Sequence, residues 1–178
     1  MTAEKQQNRV SAFIDVGWLL DGLRGQGMPW RIDYAGLVDH IAGGQTVTGK
    51  FAYLAPYPGE CYPKKEAAQR ELLDLLAGQG FSNRVTAMQV RGGMYLDQGV
   101  DVMLAMDMFE QATNDSYDTA IVISRRPTLR HAVEAARRHG RKVENAFFEY
   151  QADPSNELRD ASDRFFRLTA ALVHDLAL

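Results

Sequence analysis

Asp15 closes the apolar run Val10-Ser11-Ala12-Phe13-Ile14. Ser124-Arg125-Arg126 follows the β-branched run Thr119-Ala120-Ile121-Val122-Ile123. An acid and two arginines at the ends of two buried strands carry different chemistry. The carboxylate is either a site acid or a simple cap for the helix that follows. Arginine stays protonated at any ordinary pH and binds phosphate or carboxylate in two-pronged fashion. Pro127 suits the first turn of a helix. Ser124, Arg125 and Arg126 then stand at a helix N-terminus, where unpaired N–H groups and the dipole favour an anion, with Arg130 one turn further on. Arg137, Arg138, Arg141 and Lys142 extend this basic run against a lone Glu134. The run reads either as a solvated helix face or as an anion or RNA surface. Trp18, Tyr57 and Tyr95 are aromatic residues that could stack on bases, but the sequence does not place them.

The elements that must position these residues alternate in type. Val10–Asp15, Thr46–Leu54, Val85–Val90, Thr119–Ser124 and Lys142–Phe148 read as strands, by β-branched or continuous apolar character. Between them lie helical patterns: Trp18–Leu23, a segment capped by Asp33, Lys64–Ala77, Gly99–Ala112, and Pro127–His139. One or two further helices are expected over Pro154–Leu176. Gly92-Gly93 is a turn. The Gly99–Ala112 helix is apolar nearly all round, so it is expected to be largely buried, with Met103, Met106 and Met108 as core filler. Asp101 in its first turn is favourably placed by the helix dipole alone. Such alternation predicts an α/β fold with a mainly parallel sheet of about five strands covered on both faces. Val10–Asp15 and Thr119–Ser124 should be adjacent at its centre. Sites in such sheets form at the carboxyl ends of strands, which is where Asp15 and Ser124-Arg125-Arg126 fall.

The 178 residues suit one domain. We expect a disordered tail over residues 1–9 and a single domain over 10–178. A net charge of −3 does not announce a nucleic-acid binder globally. The polar start is not a signal peptide, and no apolar run approaches a membrane span. Cys61, the single cysteine, fits a cytoplasmic, reducing setting and reads as a bystander in a proline-rich loop. His40, His131, His139 and His174 fall on separate helices without ligand spacing.

Several segments together resemble NYN domains, the LabA-like branch of the PIN-like ribonuclease fold. Phe13-Ile14-Asp15-Val16-Gly17-Trp18 resembles their FIDGxN opening, and Arg31-Ile32-Asp33-Tyr34 the start of their second helix. Gln98-Gly99-Val100-Asp101-Val102 resembles KGVDV, and Tyr117–Ser124 the strand that leads to SGDxDF. The order and spacing hold from about Val10 to Leu168. The resemblance implies a PIN-like, Rossmannoid three-layer fold. It also implies RNA phosphodiester hydrolysis, with clustered carboxylates holding Mg²⁺ or Mn²⁺. Carried over by position, Asp15 and Asp101 match the family's catalytic and metal-binding acids. Asp107 matches a further family acid, with a weaker role in support or capping.

The departures reverse the local charge. Val16 and Trp18 replace the glycine and asparagine of FIDGxN, and Gln98 replaces a lysine. Arg125-Arg126-Pro127-Thr128 stands where the family has Gly-Asp-x-Asp. Asp118 cannot substitute, since it precedes its strand and belongs at the opposite end, about 16 Å away. An arginine can neutralise the remaining acids in place of a metal. We therefore expect Arg125 or Arg126 to pair with Asp15 or Asp101, in competition with phosphate binding at Ser124, Arg125, Arg126 and Arg130. The leading reading is a weakened or inactive nuclease relative that binds RNA or nucleotide phosphate, with no cofactor expected. The alternatives are an active Mg²⁺- or Mn²⁺-dependent ribonuclease and a ligand-free regulatory homodimer.

Overall fold

The structure, a computed structural model, describes residues 8–148 and 157–178. Six strands form one parallel sheet: β1 (Arg9–Asp15), β2 (Thr46–Leu54), β3 (Ser82–Val85), β6 (Thr119–Ile123), β7 (Lys142–Phe148) and β8 (Arg164–Leu168). Their spatial order is β3-β2-β1-β6-β7-β8, so β1 and β6 are the central pair as expected. The sheet has six strands rather than about five. β8 lies inside the C-terminal stretch expected to be helical, between α6 (Glu157–Ala161) and α7 (Ala170–Asp175). The expected helical start near Pro154 lies outside the described residues, as do residues 1–7. β1 already begins at Arg9, which the sequence had placed in the tail.

Side chains on β1 divide by strand alternation. Val10, Ala12 and Ile14 face one core layer with α1 (Val16–Gly25), α2 (Tyr34–Ala42) and α3 (Pro63–Gly78). Phe13 faces the other, with α4 (Val100–Thr113) and α5 (Arg130–Arg138). Covering both faces explains why β1 and β6 are almost fully buried and why they read as continuous apolar runs.

The expected strand Val85–Val90 is divided. β3 ends at Val85, and Ala87–Arg91 (β4) pairs instead with Met94–Gln98 (β5) in a separate antiparallel hairpin. The turn is Gly92-Gly93, with φ of 56° and 79°. Positive φ at both central residues is what a tight type I′ hairpin turn requires and glycine supplies. The expected helix from Pro127 opens as a 3-10 turn, Pro127–Leu129, before α5. Helix α4 is not buried all round. Val102, Met106 and Phe109 are exposed, and of its methionines only Met108 is fully buried.

Candidate functional site

The chain leaves β1 toward β2 on one side and later returns to β6 on the other. The strand order therefore reverses between β1 and β6, and their carboxyl ends splay around a crevice. Asp15 is the last residue of β1 and also the N-cap of α1. Its Oδ1 accepts from the Trp18 backbone N–H at 3.4 Å. Its Oδ2 accepts from the Ser124 hydroxyl at 3.2 Å and from Arg126 Nε at 2.8 Å. The Ser124 oxygen in turn accepts the Arg126 backbone N–H at 3.0 Å, which fixes the turn that aims the guanidinium inward.

The other edge of Arg126 meets Asp97 on β5. Nη2 donates to Oδ2 at 2.5 Å and Nη1 to Oδ1 at 3.3 Å. One guanidinium thus bridges a carboxylate buried to 1% exposure and a second that is 35% exposed. Burial pushes the Asp15 carboxyl above its ordinary range, against the pull of Arg126. Burial alone would lower Arg126. Its hydrogen bonds to Asp97 and Asp15 outweigh this and raise it further, so it stays a fixed cation.

The other sequence-selected residues are distributed differently. Asp101 is outside this bridge and accepts a hydrogen bond from the Thr128 hydroxyl at 2.9 Å. Asp107 neither caps a helix nor reaches Asp15. It accepts from the Tyr53 hydroxyl at 2.8 Å and lies 3.3 Å from Arg84. Arg130 turns to Glu134 at 2.8 Å and Glu157 at 3.3 Å, away from Arg126. Arg125 is half-buried beside Arg126. Arg126 and Arg130 are thus each paired with carboxylates in the positions where the sequence suggested an anion seat. Further along the basic run, Arg137 pairs with Asp163 at 2.9 Å and Arg141 with Asp115 at 2.8 Å. Much of that run is neutralised by acids from other elements rather than left as an open basic surface.

Asp97 escaped the sequence reading. The signal that could have found it was the alternation on either side of Gly92-Gly93, which marks a hairpin and puts every second β5 side chain on one face. Trp18, Tyr57 and Tyr95, unplaced in the sequence, all line one cleft of about 420 Å³ with Asp15, Asp97 and Arg126. A second groove of about 320 Å³ shares Leu20, Arg24, Tyr57 and Gln69 with it and adds Trp30, Lys64 and Lys65. Tyr57, Tyr62 and Tyr95 pack edge to face, with ring centroids 5.0–5.9 Å apart. The Lys65 ammonium sits 4.6 Å from the Tyr57 centroid and 4.7 Å from that of Tyr95. It also donates to the Tyr95 hydroxyl at 3.2 Å.

A divalent ion needs several oxygen ligands with lone pairs directed at one point. Here the facing oxygens of Asp15 and Asp97 are already spent on a guanidinium. No group of three or more His, Cys, Asp or Glu among the described residues could hold a metal ion. The arrangement does not fit the metal centre that the resemblance implies.

A three-layer domain with a parallel sheet and an acid at its central switch point is consistent with the PIN-like α/β fold. More narrowly, the NYN domain family model matches residues 9–169, and the chain belongs to that family, which is related to PIN-like ribonucleases. The fold is similar to the crystal structure of a Vibrio parahaemolyticus protein of unknown function. The TM-score is 0.74 at 21% identity, over 98% of this chain and 99% of that one. No curated protein matches the chain in sequence. No helix among the described residues is long and apolar enough to cross a membrane.

Proposed function

We propose that this NYN domain binds single-stranded RNA without hydrolysing it, with Arg126 in place of the metal. The observation that carries the reading is the trench formed by the cleft and the adjoining groove. It runs from the Asp15–Arg126–Asp97 bridge past Trp18, Tyr57 and Tyr95 to Trp30, with Arg24, Lys64 and Lys65 along its wall. Aromatic faces stack on bases of any sequence, and cations beside them follow the phosphates. Duplex RNA keeps its bases stacked inside and cannot use such rings.

Within this reading each bridge residue has a task. Asp15 Oδ2 accepts from both Ser124 and Arg126, and Oδ1 from the Trp18 N–H, so the oxygen nearest the cation is already engaged. Arg126 offsets part of the two acids' repulsion of phosphate, and, unlike a metal, a guanidinium has no open coordination position at which to activate water.

The test is fluorescence anisotropy with a short labelled single strand in EDTA at low salt. Binding is expected, with log affinity falling linearly against log salt and a matched duplex binding more weakly. No binding to the single strand under these conditions would overturn the proposal.

A further inference from the structure

Helix α4 is apolar on two opposite sides. Val100, Leu104, Met108 and Ala112 are buried in the core. At 3.6 residues per turn, Val102, Met106 and Phe109 fall on the reverse side, where they are 57%, 66% and 42% exposed. Thr113, the next position along that line, is uncharged. Two of the three acids of the helix are engaged elsewhere, Asp101 with Thr128 and Asp107 with Tyr53 and Arg84, while the exposed Glu110 flanks the stripe one turn beyond Met106. A helix apolar all round is normally covered on every side, and within one chain the outer stripe of α4 stays open apart from the edge of Phe109 that meets the His139 ring at 5.3 Å.

We infer that this stripe is a self-association surface, on which α4 packs antiparallel against α4 of a second copy about a twofold axis. This goes beyond the RNA reading and does not depend on it. Three apolar side chains exposed together form a patch on the order of 300 Å². Two such patches provide roughly 600 Å² of apolar surface, enough for the core of an interface near the 1,200 Å² lower bound of stable dimers.

Side-chain volume selects the direction. Antiparallel pairing about a point between Ala105 and Met106 sets the small Val102 against the large Phe109 of the second copy. Parallel pairing would set Phe109 against Phe109 and Val102 against Val102, crowding one end and leaving a gap at the other. Antiparallel helices also place opposite dipole ends side by side. Val102, Met106 and Phe109 carry no charge to repel their own copy, and the one flanking acid, Glu110, falls at the rim of the contact, where it can stay in water.

Light scattering on the full chain at micromolar concentration tests this. The expected mass is twice the 19.9 kDa of one chain. Met106→Glu should return it to the single-chain mass with an unchanged circular dichroism spectrum, because Met106 is 66% exposed and outside both core clusters. Val102→Phe alone should weaken the dimer, and adding Phe109→Val should restore it. In a Cys61→Ser background, Met106→Cys should form an intermolecular disulfide on mild oxidation. A wild-type monomer throughout the micromolar range would overturn the inference, whatever other protein the stripe binds. So would a dimer that survives Met106→Glu without forming the disulfide. A dimer that Val102→Phe with Phe109→Val fails to restore would overturn the antiparallel pairing.

Discussion

The two ends of the central strands carry the same residue types in opposite settings. At the amino ends of β1 and β6, Arg9 pairs with Asp115 and Asp118, each at 2.9 Å, and Arg141 lies 2.8 Å from Asp115. Arg9 and Asp118 are about a third exposed and Asp115 more so, although Arg141 is largely covered. The Arg9 hydrogen bonds hold Asp118 down at about 2. At the carboxyl ends, Asp15 is buried and raised, and a single arginine serves two acids. Water screens the first cluster and makes its pairs interchangeable. In the second, Asp15 and Arg126 are desolvated, so Asp15 depends on one specific counter-charge. An Asp–Arg pair at a strand end is thus a surface clasp or a site component according to its burial, not its sequence.

The largest expected effect is at the buried end. Arg126→Ala leaves Asp15 without its counter-charge and should cost about 3–5 kcal/mol in denaturant unfolding. Adding Asp15→Asn should recover much of that loss. Arg9→Ala should move the midpoint far less, by an amount that shrinks with salt. Comparable losses for the two arginines would break the contrast.

Next in size is the trench. Trp18→Ala and Tyr57→Ala should each weaken single-stranded RNA binding by about 1–3 kcal/mol, the usual worth of one stacked base. Anisotropy titrations read this directly, and unchanged affinity in both variants would remove the rings from the interface.

The smallest effects are in pH dependence, with opposite signs at the two ends. Asp118 is depressed from 3.8 to about 2. Its contribution is present above 3.8 and lost as pH falls through about 2. The stability advantage of wild type over Asp118→Asn should therefore shrink on acidification. Asp15 is raised above 3.8. Its proton-linked contribution is present below 3.8 and lost as pH rises through the folded-state value. Wild type should thus lose ground to Asp15→Asn as pH rises over that range. Unfolding curves collected from acid to neutral pH check both slopes, and equal slopes would contradict the difference in burial.

The parallel sheet and its central pair were legible because β1 and β6 are covered on both faces, which forces an unbroken apolar run. Asp15 and Arg126 were legible because a switch point places strand ends together and because an acid and an arginine stood at those ends. β8 was not legible, since Arg164-Phe165-Phe166-Arg167-Leu168 is an edge strand, covered less completely and without the β-branched run of the centre. Its expected assignment as helix followed from apolar spacing that fits either period. Asp97 was hidden because the Gly92-Gly93 hairpin, though locally marked, lies outside the main sheet, and nothing local says that it folds back over Arg126. The apolar outer face of α4 misled in the other direction. Residues suited to burial were read as buried, although a single chain does not cover them.

The central claim is that a guanidinium occupies the cation's place and that RNA binds there without hydrolysis. The most direct measurement follows a labelled single-stranded RNA with the protein in Mn²⁺ and, in parallel, in EDTA at matched ionic strength, scoring affinity and strand length together. The account predicts equal affinity in both and RNA of unchanged length. Binding that requires Mn²⁺, or Mn²⁺-dependent cleavage that Asp15→Asn abolishes, would contradict it.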